Sequence, residues 1–199
     1  MELTLYYMPG TRSERVRWAL DELGLDYGIE KLDLFKGEGN RADYRAIHPL
    51  GQLPALLVDG QAMFESGAIV QWLAEATPGS RLAPPVDQPA RRAFDQWMYF
   101  AATSLEAPAW EMMLHGKILP GKQAVKAIIP FAGQSYAKAL NVLEQALRDQ
   151  DYLVDGRFSA ADIMIGYILA WFPEQLAPYP GLQKYLARLQ HRPAYPYKP

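Results

Sequence analysis

The first part of the chain alternates short apolar strands with amphipathic helices. Leu3, Leu5 and Tyr7 alternate with residues of the opposite face, which predicts a strand. Apolar residues spaced three and four apart predict a helix that follows this strand and ends near Gly24. The alternation returns in residues 27–34 and predicts a second strand.

The same part of the chain then returns to helix and to paired strands. A short helix is predicted over residues 42–47, and two strands joined by a turn at Asp59-Gly60 follow it. A further helix is predicted over residues 66–76. The order β-α-β-α-β-β-α is that of a thioredoxin-like α/β domain, to which we assign residues 1–77.

The second part of the chain is helical in character. Prolines are concentrated in residues 78–89, and because proline disfavours helix for the residue before it, this segment is predicted to be a linker. From residue 90 onward the apolar spacing is helical, so residues 90–199 are predicted to form an all-helical domain. Pro108 and Pro130 lie inside this pattern and are expected to kink or break the helices.

Composition narrows the classes of function. The chain has 199 residues, of which 50% are hydrophobic, and a net charge of −2, so we expect neither nucleic acid nor a membrane as a partner. No apolar run approaches the ~20 residues that span a bilayer, and the N-terminus lacks a signal-peptide pattern, so we expect a cytoplasmic protein. The absence of cysteine excludes disulfides, thiolate metal sites and a cysteine nucleophile. The three histidines lie far apart in sequence, and we expect no metal site.

The hairpin and its flanks, residues 48–66, carry the first candidate site. Leu53 and Pro54 precede an apolar strand, where proline is tolerated and where a cis peptide bond would turn the Leu53 N–H and C=O away from the sheet. Ser66 lies at a predicted helix N-terminus, which suits a carboxylate, and Glu65 could take a ligand amine. An ordinary hairpin followed by a serine-capped helix would show the same local pattern. Together the features describe a site for a γ-glutamyl tripeptide.

Two sequence segments carry a family resemblance. Gly-Gln-Leu-Pro-Ala-Leu at residues 51–56, followed by Glu-Ser-Gly-Ala-Ile at residues 65–69, resembles the cytosolic glutathione transferases. The resemblance implies that Gln52 and Leu53 hold the cysteinyl backbone of glutathione and that Glu65 and Ser66 form the γ-glutamyl pocket. It places Asn40 or Arg41 near the glycine carboxylate. The implied glutathione-binding residues are Gln52, Leu53, Pro54, Glu65, Ser66 and Asn40.

The first strand and the loop after it offer three hydroxyl groups. Thr11 lies four residues before Arg15, which resembles the serine-type classes of this family, although threonine replaces the usual serine. Tyr6 lies eleven residues before Arg17, which resembles the tyrosine-type classes. Ser13, at the start of the predicted helix, is the third hydroxyl.

One hydroxyl donor is sufficient for the chemistry. Free glutathione's thiol should titrate near a model thiol, about 8.5, and only the thiolate is a good nucleophile. Lowering this pKa by ~2 units takes roughly 2.7 kcal/mol, which a hydrogen bond to the charged sulfur beside a helix N-terminus can largely supply. We expect Thr11 to be the donor, then Ser13, then Tyr6. Alternatively, Thr11 or Ser13 is a helix N-cap and Tyr6 an ordinary strand aromatic.

The resemblance also places an electrophile site between the two domains. Its wall would come from the loop after the first strand and from the long helix that follows the linker. These residues are Met8, Pro9, Trp97, Phe100, Ser104 and Trp110. Aromatic and methionine residues at helical spacing belong more often to a hydrophobic core than to the wall of a ligand site.

A third motif concerns folding. Ser159 and Asp162 have the spacing of a capping box, which also resembles the second domain of this family. We therefore expect a buried helix to begin there.

The resemblance as a whole implies a homodimeric, detoxifying glutathione transferase with glutathione as co-substrate and no metal. Its reaction would be thiolate attack on a small apolar electrophile. One alternative is a family member that reduces disulfides or peroxides with glutathione, or an isomerase. A second alternative is a binding or regulatory protein of this fold without catalysis. The hydroxyl loop and the Glu-Ser pair together favour an enzyme.

Overall fold

The computed structural model describes residues 1–196, which divide into two units. One unit consists of Met1–Ala83 together with the stretch that begins at Pro193, and the other is Pro84–Arg192. Within the described residues, no helix combines the length and apolar character needed to cross a membrane.

A four-stranded mixed sheet forms the centre of the first unit. The strands are β1 (Leu3–Tyr7), β2 (Gly28–Lys31), β3 (Ala55–Val58) and β4 (Gln61–Phe64), in the spatial order β2-β1-β3-β4. β1 pairs in parallel with β2 and antiparallel with β3, and β3 pairs antiparallel with β4. β2 is shorter than predicted because the Asp33 side chain accepts hydrogen bonds from the Phe35 and Lys36 amides and starts a 3₁₀ turn there.

Three helices complete the first unit and confirm the predicted element order. They are α1 (Ser13–Leu23), α2 (Ala42–Ile47) and α3 (Ser66–Ala76), with 3₁₀ turns at Leu34–Lys36 and Glu38–Asn40. α1 packs against α3 through residues that are fully buried, and the alternation of β1 directs Leu3, Leu5 and Tyr7 into the core. The C-terminal stretch returns to this unit, where Tyr195 packs edge-on against Trp18 at 4.9 Å between ring centroids.

The described part of the second unit is helical, as predicted. Its elements are α4 (Ala90–Phe100), a π turn (Ala101–Leu105), α5 (Glu106–Met113), a second π turn (Leu114–Ile118), α6 (Ile128–Ala146), α7 (Ala160–Leu169), a 3₁₀ turn (Pro173–Leu176) and α8 (Pro180–Gln190). Every residue of α7 is buried, so this helix forms the centre of the unit.

The long helix that starts at Ala90 is interrupted just before Pro108, as expected, and the helix that contains Pro130 begins only two residues before that proline. Pro108 lies in the first turn of α5, directly after a π turn that has already changed the hydrogen-bond register. Pro130 lies in the first turn of α6, which begins at Ile128 and not several residues earlier. Pro130 is tolerated in the first turn of α6 because its missing N–H would have no helical acceptor there.

The capping box that opens α7 is present, as predicted. Asp162 accepts hydrogen bonds from the Ser159 amide at 2.8 Å, from the Leu153 amide at 3.2 Å and from the Tyr185 hydroxyl at 2.7 Å. Burial raises the pKa of Asp162, while these donors oppose the rise. The carboxylate therefore joins three segments of the unit through its own hydrogen bonds.

Candidate functional site

The loop between β1 and α1 brings two of the three candidate hydroxyls together. Gly10 has φ of 76°, which turns the chain into the helix that begins at Ser13. Thr11 Oγ1 donates to the Met8 carbonyl at 2.7 Å and lies 2.7 Å from Ser13 Oγ. Thr11 is partly exposed, whereas Ser13 is fully buried. Thr11 is therefore the more exposed residue of this pair.

Tyr6 lies in a different cluster. Its ring centroid is 5.2 Å from that of Tyr44 on α2, and it packs beside Leu53 and Ala55. Arg17, which the sequence spacing relates to Tyr6, instead donates to the Tyr7 hydroxyl at 3.2 Å. The structure thus separates Tyr6 from the Thr11 and Ser13 pair.

The reason for this separation is the alternation of β1. Successive side chains of a strand point to opposite faces, so Tyr6 and Tyr7 face different helices. The Tyr7 hydroxyl donates to Glu14 Oε1 at 2.7 Å beneath the loop. Burial raises the pKa of Glu14 and of Tyr7. Sequence analysis did not identify this buried pair, and a glutamate on the apolar face of α1 was its only signal.

Arg15 links the two helix N-termini of the candidate site. Its Nη1 donates to Ser66 Oγ at 3.1 Å, and both side chains are buried. Ser66 opens α3, 51 residues away in sequence. The Ser66 oxygen is the acceptor in this bond, so its own hydrogen remains to be donated elsewhere.

Glu65 adopts a backbone conformation that is rare for its residue type. Its φ is 72° and its ψ is 106°, and its side chain is exposed and does not cap the helix. A non-glycine residue in such a region costs roughly 1–3 kcal/mol and is typically retained at functional sites. The first helical bond of α3 runs from the Ile69 amide to the Glu65 carbonyl at 2.9 Å. The amides of residues 66–68 therefore lie at the N-terminus of the helix, before its first hydrogen bond. This arrangement favours the binding of an anion.

The segment before β3 is positioned by α2. The peptide bond between Leu53 and Pro54 is cis, and β3 begins at Ala55. The hydroxyl of Tyr44, a buried residue of α2, donates to the Gln52 carbonyl. Burial raises the pKa of Tyr44, so the hydroxyl remains a donor at ordinary pH. The Gln52 side chain is exposed, in contrast to Leu53.

Two glycines allow two loops of the site to meet. A Cβ on Gly39 would lie 2.2 Å from the Gly51 carbonyl oxygen, and a Cβ on Gly51 would lie 2.2 Å from the Gly39 carbonyl oxygen. No side chain fits at either position. The contact brings the 3₁₀ turn that ends at Asn40 against the loop that leads to Gln52. Sequence analysis did not identify this contact.

Arg41, the alternative to Asn40, is already engaged. Its guanidinium bonds the Asp43 carboxylate, and both side chains are exposed. Asn40 is also exposed.

His48 lies in the interior of the same unit. It is buried, its ring centroid is 5.1 Å from that of Phe64, and its Nδ1 accepts from the Leu50 amide at 3.3 Å. Burial lowers the pKa of His48.

Met8 and Pro9 follow β1 in the first unit. Met8 packs against the cluster that includes Tyr6 and Tyr44, and its Sδ accepts from the Leu34 amide at 3.5 Å. Pro9 is exposed.

The four other predicted electrophile residues belong to the second unit. Trp97 is buried and packs edge-on against the half-buried Phe100 at 5.2 Å. Ser104 is exposed in the first π turn, a feature that is frequent at functional sites. Trp110 is half-buried, with its ring centroid 6.3 Å from that of Trp171.

Among residues 1–196, no cluster of histidine, cysteine or carboxylate side chains has the arrangement that would hold a metal ion.

Comparison with known proteins finds matches to one family in both parts of the chain. Residues 1–75 match the family model for the glutathione S-transferase N-terminal domain, and residues 104–188 match that for the C-terminal domain. The chain is 30% identical over 196 residues to glutathione S-transferase GstA of Escherichia coli O157:H7, a match that covers 96% of this chain and 94% of that protein.

Two further proteins bear on the chemistry. The chain is 30% identical over 206 residues to the disulfide-bond oxidoreductase YfcG of Escherichia coli K12, with 96% of this chain and 92% of that protein covered. A glutathione transferase homologue from Sulfitobacter, solved with bound glutathione, superposes with a TM-score of 0.84 at 25% identity, covering 98% of this chain and 95% of that one.

Proposed function

Because the chain belongs to the glutathione S-transferase family, we propose that it is a glutathione transferase that ionises the thiol of bound glutathione with the Thr11 hydroxyl. The thiolate then attacks a small apolar electrophile. The observation that carries the proposal is a partly exposed Thr11 at the N-terminal end of α1, with its hydroxyl 2.7 Å from that of the buried Ser13.

The proposed donor acts on the sulfur in its anionic form. Thr11 Oγ1–H turns from the Met8 carbonyl to the sulfur, and the partial positive charge of the α1 N-terminus adds to the stabilisation. A hydrogen bond to a charged acceptor is worth about 1.5–3 kcal/mol, which corresponds to one to two pKa units. The thiol proton leaves to solvent, the new bond forms between sulfur and the electrophilic carbon, and any leaving group departs with the bonding electrons.

Glutathione is proposed to lie along the first unit in an extended conformation. The Leu53 backbone, next to Pro54 and Gln52, pairs with the cysteinyl part. The amides that open α3 and the Ser66 hydroxyl hold the γ-glutamyl carboxylate, and Glu65 takes the ammonium group. Asn40 is assigned to the glycine carboxylate. The unusual backbone of Glu65 supports this arrangement because it leaves the carboxylate exposed and not folded back as a cap.

For the electrophile we retain six residues as a proposal. They are Met8, Pro9, Trp97, Phe100, Ser104 and Trp110, all apolar or aromatic except for the serine in the π turn. Such a lining favours small apolar compounds over charged ones. A homodimeric, cytoplasmic enzyme with a role in detoxification is proposed from the family alone.

Glutathione-dependent disulfide reduction is the second candidate, favoured by the similarity to a disulfide-bond oxidoreductase. The activated thiolate would attack a substrate disulfide and form a mixed disulfide, and a second glutathione would release oxidised glutathione. The chain has no cysteine, so every thiol in this sequence of steps would come from glutathione or substrate.

The test is a pH titration of the thiolate absorbance of glutathione in the presence of the protein. We expect saturable binding with an apparent thiol pKa clearly below the ~8.5 of a model thiol. Product analysis with an aryl halide and with a small disulfide then distinguishes conjugation from reduction. Binding without a lowered pKa would contradict the proposed activation and favour a carrier. Absence of binding would contradict the proposed glutathione site and leave a regulatory role.

A further inference from the structure

Ser13 is the buried member of the hydroxyl pair at the start of α1. Its Oγ lies 2.7 Å from Thr11 Oγ1 and accepts a hydrogen bond from the Met8 amide at 3.2 Å. Solvent does not reach the Ser13 side chain, whereas Thr11 is partly exposed. A thiol bound at the surface of the loop would therefore contact Thr11 before Ser13. The two hydroxyls can for this reason have different roles.

The two hydroxyl hydrogens share a small set of acceptors. Thr11 Oγ1 reaches the Met8 carbonyl at 2.7 Å, and Ser13 Oγ reaches the same carbonyl at 3.1 Å. If Thr11 turns its hydrogen toward a sulfur, the Ser13 hydrogen can be donated to Thr11 Oγ1. The Ser13 amide is directed at the same oxygen from 3.4 Å. Two donors on the buried side of that oxygen leave its own hydrogen directed outward.

We infer that Ser13 is a positioning residue, which donates to Thr11 Oγ1 and thereby directs the Thr11 hydroxyl toward the sulfur of glutathione. This inference rests on the proposed function. The hydrogen bonds then run in one direction, from the Met8 amide to Ser13, from Ser13 to Thr11, and from Thr11 to the sulfur. Each donor in such a chain polarises the next and strengthens its bond. Neither residue loses a proton, because the thiol proton goes to solvent.

The threonine at position 11 fits this role. Its branched Cβ restricts χ1, so its hydroxyl keeps a narrow range of directions once Ser13 bonds to it. A serine at the same position would rotate more freely, and the contribution of Ser13 would then be larger.

The experiment measures the apparent pKa of protein-bound glutathione by thiolate absorbance in a double-mutant cycle. The variants are Ser13→Ala, Thr11→Val and the double variant, since valine keeps the shape of threonine without its hydroxyl. We expect Ser13→Ala to raise the thiol pKa by about half a unit, which is roughly a threefold decrease in the ionisation constant of the bound thiol. We expect Thr11→Val to bring the pKa close to that of free glutathione, and the double variant to match Thr11→Val.

Three results would overturn the inference while leaving the proposed function intact. The first is an equal effect of Ser13→Ala with Thr11 and with Val at position 11, which would make Ser13 a direct donor to sulfur. The second is a larger effect of Ser13→Ala than of Thr11→Val. The third is an unchanged thiol pKa in a folded Ser13→Ala protein, as judged by circular dichroism and melting temperature, which would leave Ser13 a structural role only.

A conservative variant keeps the test independent of folding. Ser13→Thr retains the hydroxyl donor and adds no thiol, so we expect a thiol pKa closer to that of the parent protein than to that of Ser13→Ala. A value for a folded Ser13→Thr protein equal to or above that of Ser13→Ala would contradict the role of the donated hydrogen. Failure of the proposed function itself is distinguishable, because the parent protein would then show no lowered thiol pKa at all.

Discussion

Arg15 Nη1 donates to Ser66 Oγ at 3.1 Å, in the interior of the first unit. The bond fixes the start of α3 relative to the start of α1, the two helix ends to which we assign the γ-glutamyl group and the thiol. It also makes the Ser66 oxygen an acceptor, so the hydroxyl hydrogen is available for a ligand carboxylate.

Replacement of Ser66 by alanine tests this bond. We expect Ser66→Ala to weaken glutathione binding about tenfold, or ~1.4 kcal/mol, because a donor to the γ-glutamyl carboxylate is lost. We also expect a loss of stability of roughly 1–3 kcal/mol, since a buried guanidinium loses an acceptor. Ser80→Ala, a serine outside the proposed site, is the matched control for both measurements. An unchanged affinity by calorimetry would contradict the assigned role.

The backbone of Glu65 predicts opposite effects on stability and binding. Glycine adopts φ near 72° readily, so Glu65→Gly should raise the free energy of unfolding by about 1 kcal/mol while it weakens glutathione binding. Glu65→Gln keeps the backbone strain and removes only the charge, so it should weaken binding with little change in stability. Chemical denaturation and calorimetry together separate the two effects. If Glu65→Gly is less stable than the parent protein, the conformation is not strained.

Substitution of Gly39 and of Gly133, a glycine of α6, by alanine tests the close contact between the Gly39 and Gly51 loops. Gly39→Ala places a methyl group 2.2 Å from the Gly51 carbonyl oxygen, so we expect roughly 1–3 kcal/mol of destabilisation and weaker glutathione binding. A Cβ on Gly133 meets nothing within 4 Å, and Gly133→Ala should stabilise the helix by about 0.5–1 kcal/mol. Thermal unfolding of both variants is the measurement. Similar effects of the two substitutions would refute the account of the loop contact.

Truncation of the Asp162 side chain should lower the stability of the protein because this carboxylate accepts hydrogen bonds from several buried donors. Asp162→Ala leaves the Ser159 amide, the Leu153 amide and the Tyr185 hydroxyl without this acceptor. We expect about 3 kcal/mol of destabilisation, and a smaller loss for Asp162→Asn, which keeps one acceptor oxygen. Urea unfolding of the two variants measures the difference. An alanine variant as stable as the parent protein would show that the carboxylate contributes little.

Sequence predicted the features of the fold and the site that depend on residues close together in the chain. It did not predict the contacts between residues far apart in the chain. β1, the hairpin and the capping box of α7 depend on neighbours within a few residues, and their patterns are visible in the chain. The Gly39–Gly51 contact and the Arg15–Ser66 bond join segments far apart in sequence, and nothing local identifies the partner.

The same limit applies to the hydroxyl candidates. Spacing alone left Thr11, Ser13 and Tyr6 as alternatives, whereas burial of Ser13 and the strand face of Tyr6 distinguish them. Pro108 and Pro130 predicted interruptions of the helical pattern, but the sequence does not show that the first interruption is a π turn or that Pro130 lies in the first turn of its helix.

His48 predicts a pH dependence of stability. Burial holds its pKa below the ordinary 6.5, with a smaller lowering effect from Arg45 and an opposing effect from Glu65. The unfolded chain therefore binds more protons than the folded protein between the folded-state pKa and 6.5, so stability is complete above 6.5 and falls as the pH drops through this window. We expect the melting temperature of His48→Gln to change less across the window than that of the parent protein. His191→Gln, which changes an exposed histidine, should retain the parent's dependence. An identical pH profile for the parent and His48→Gln would exclude His48 as the source.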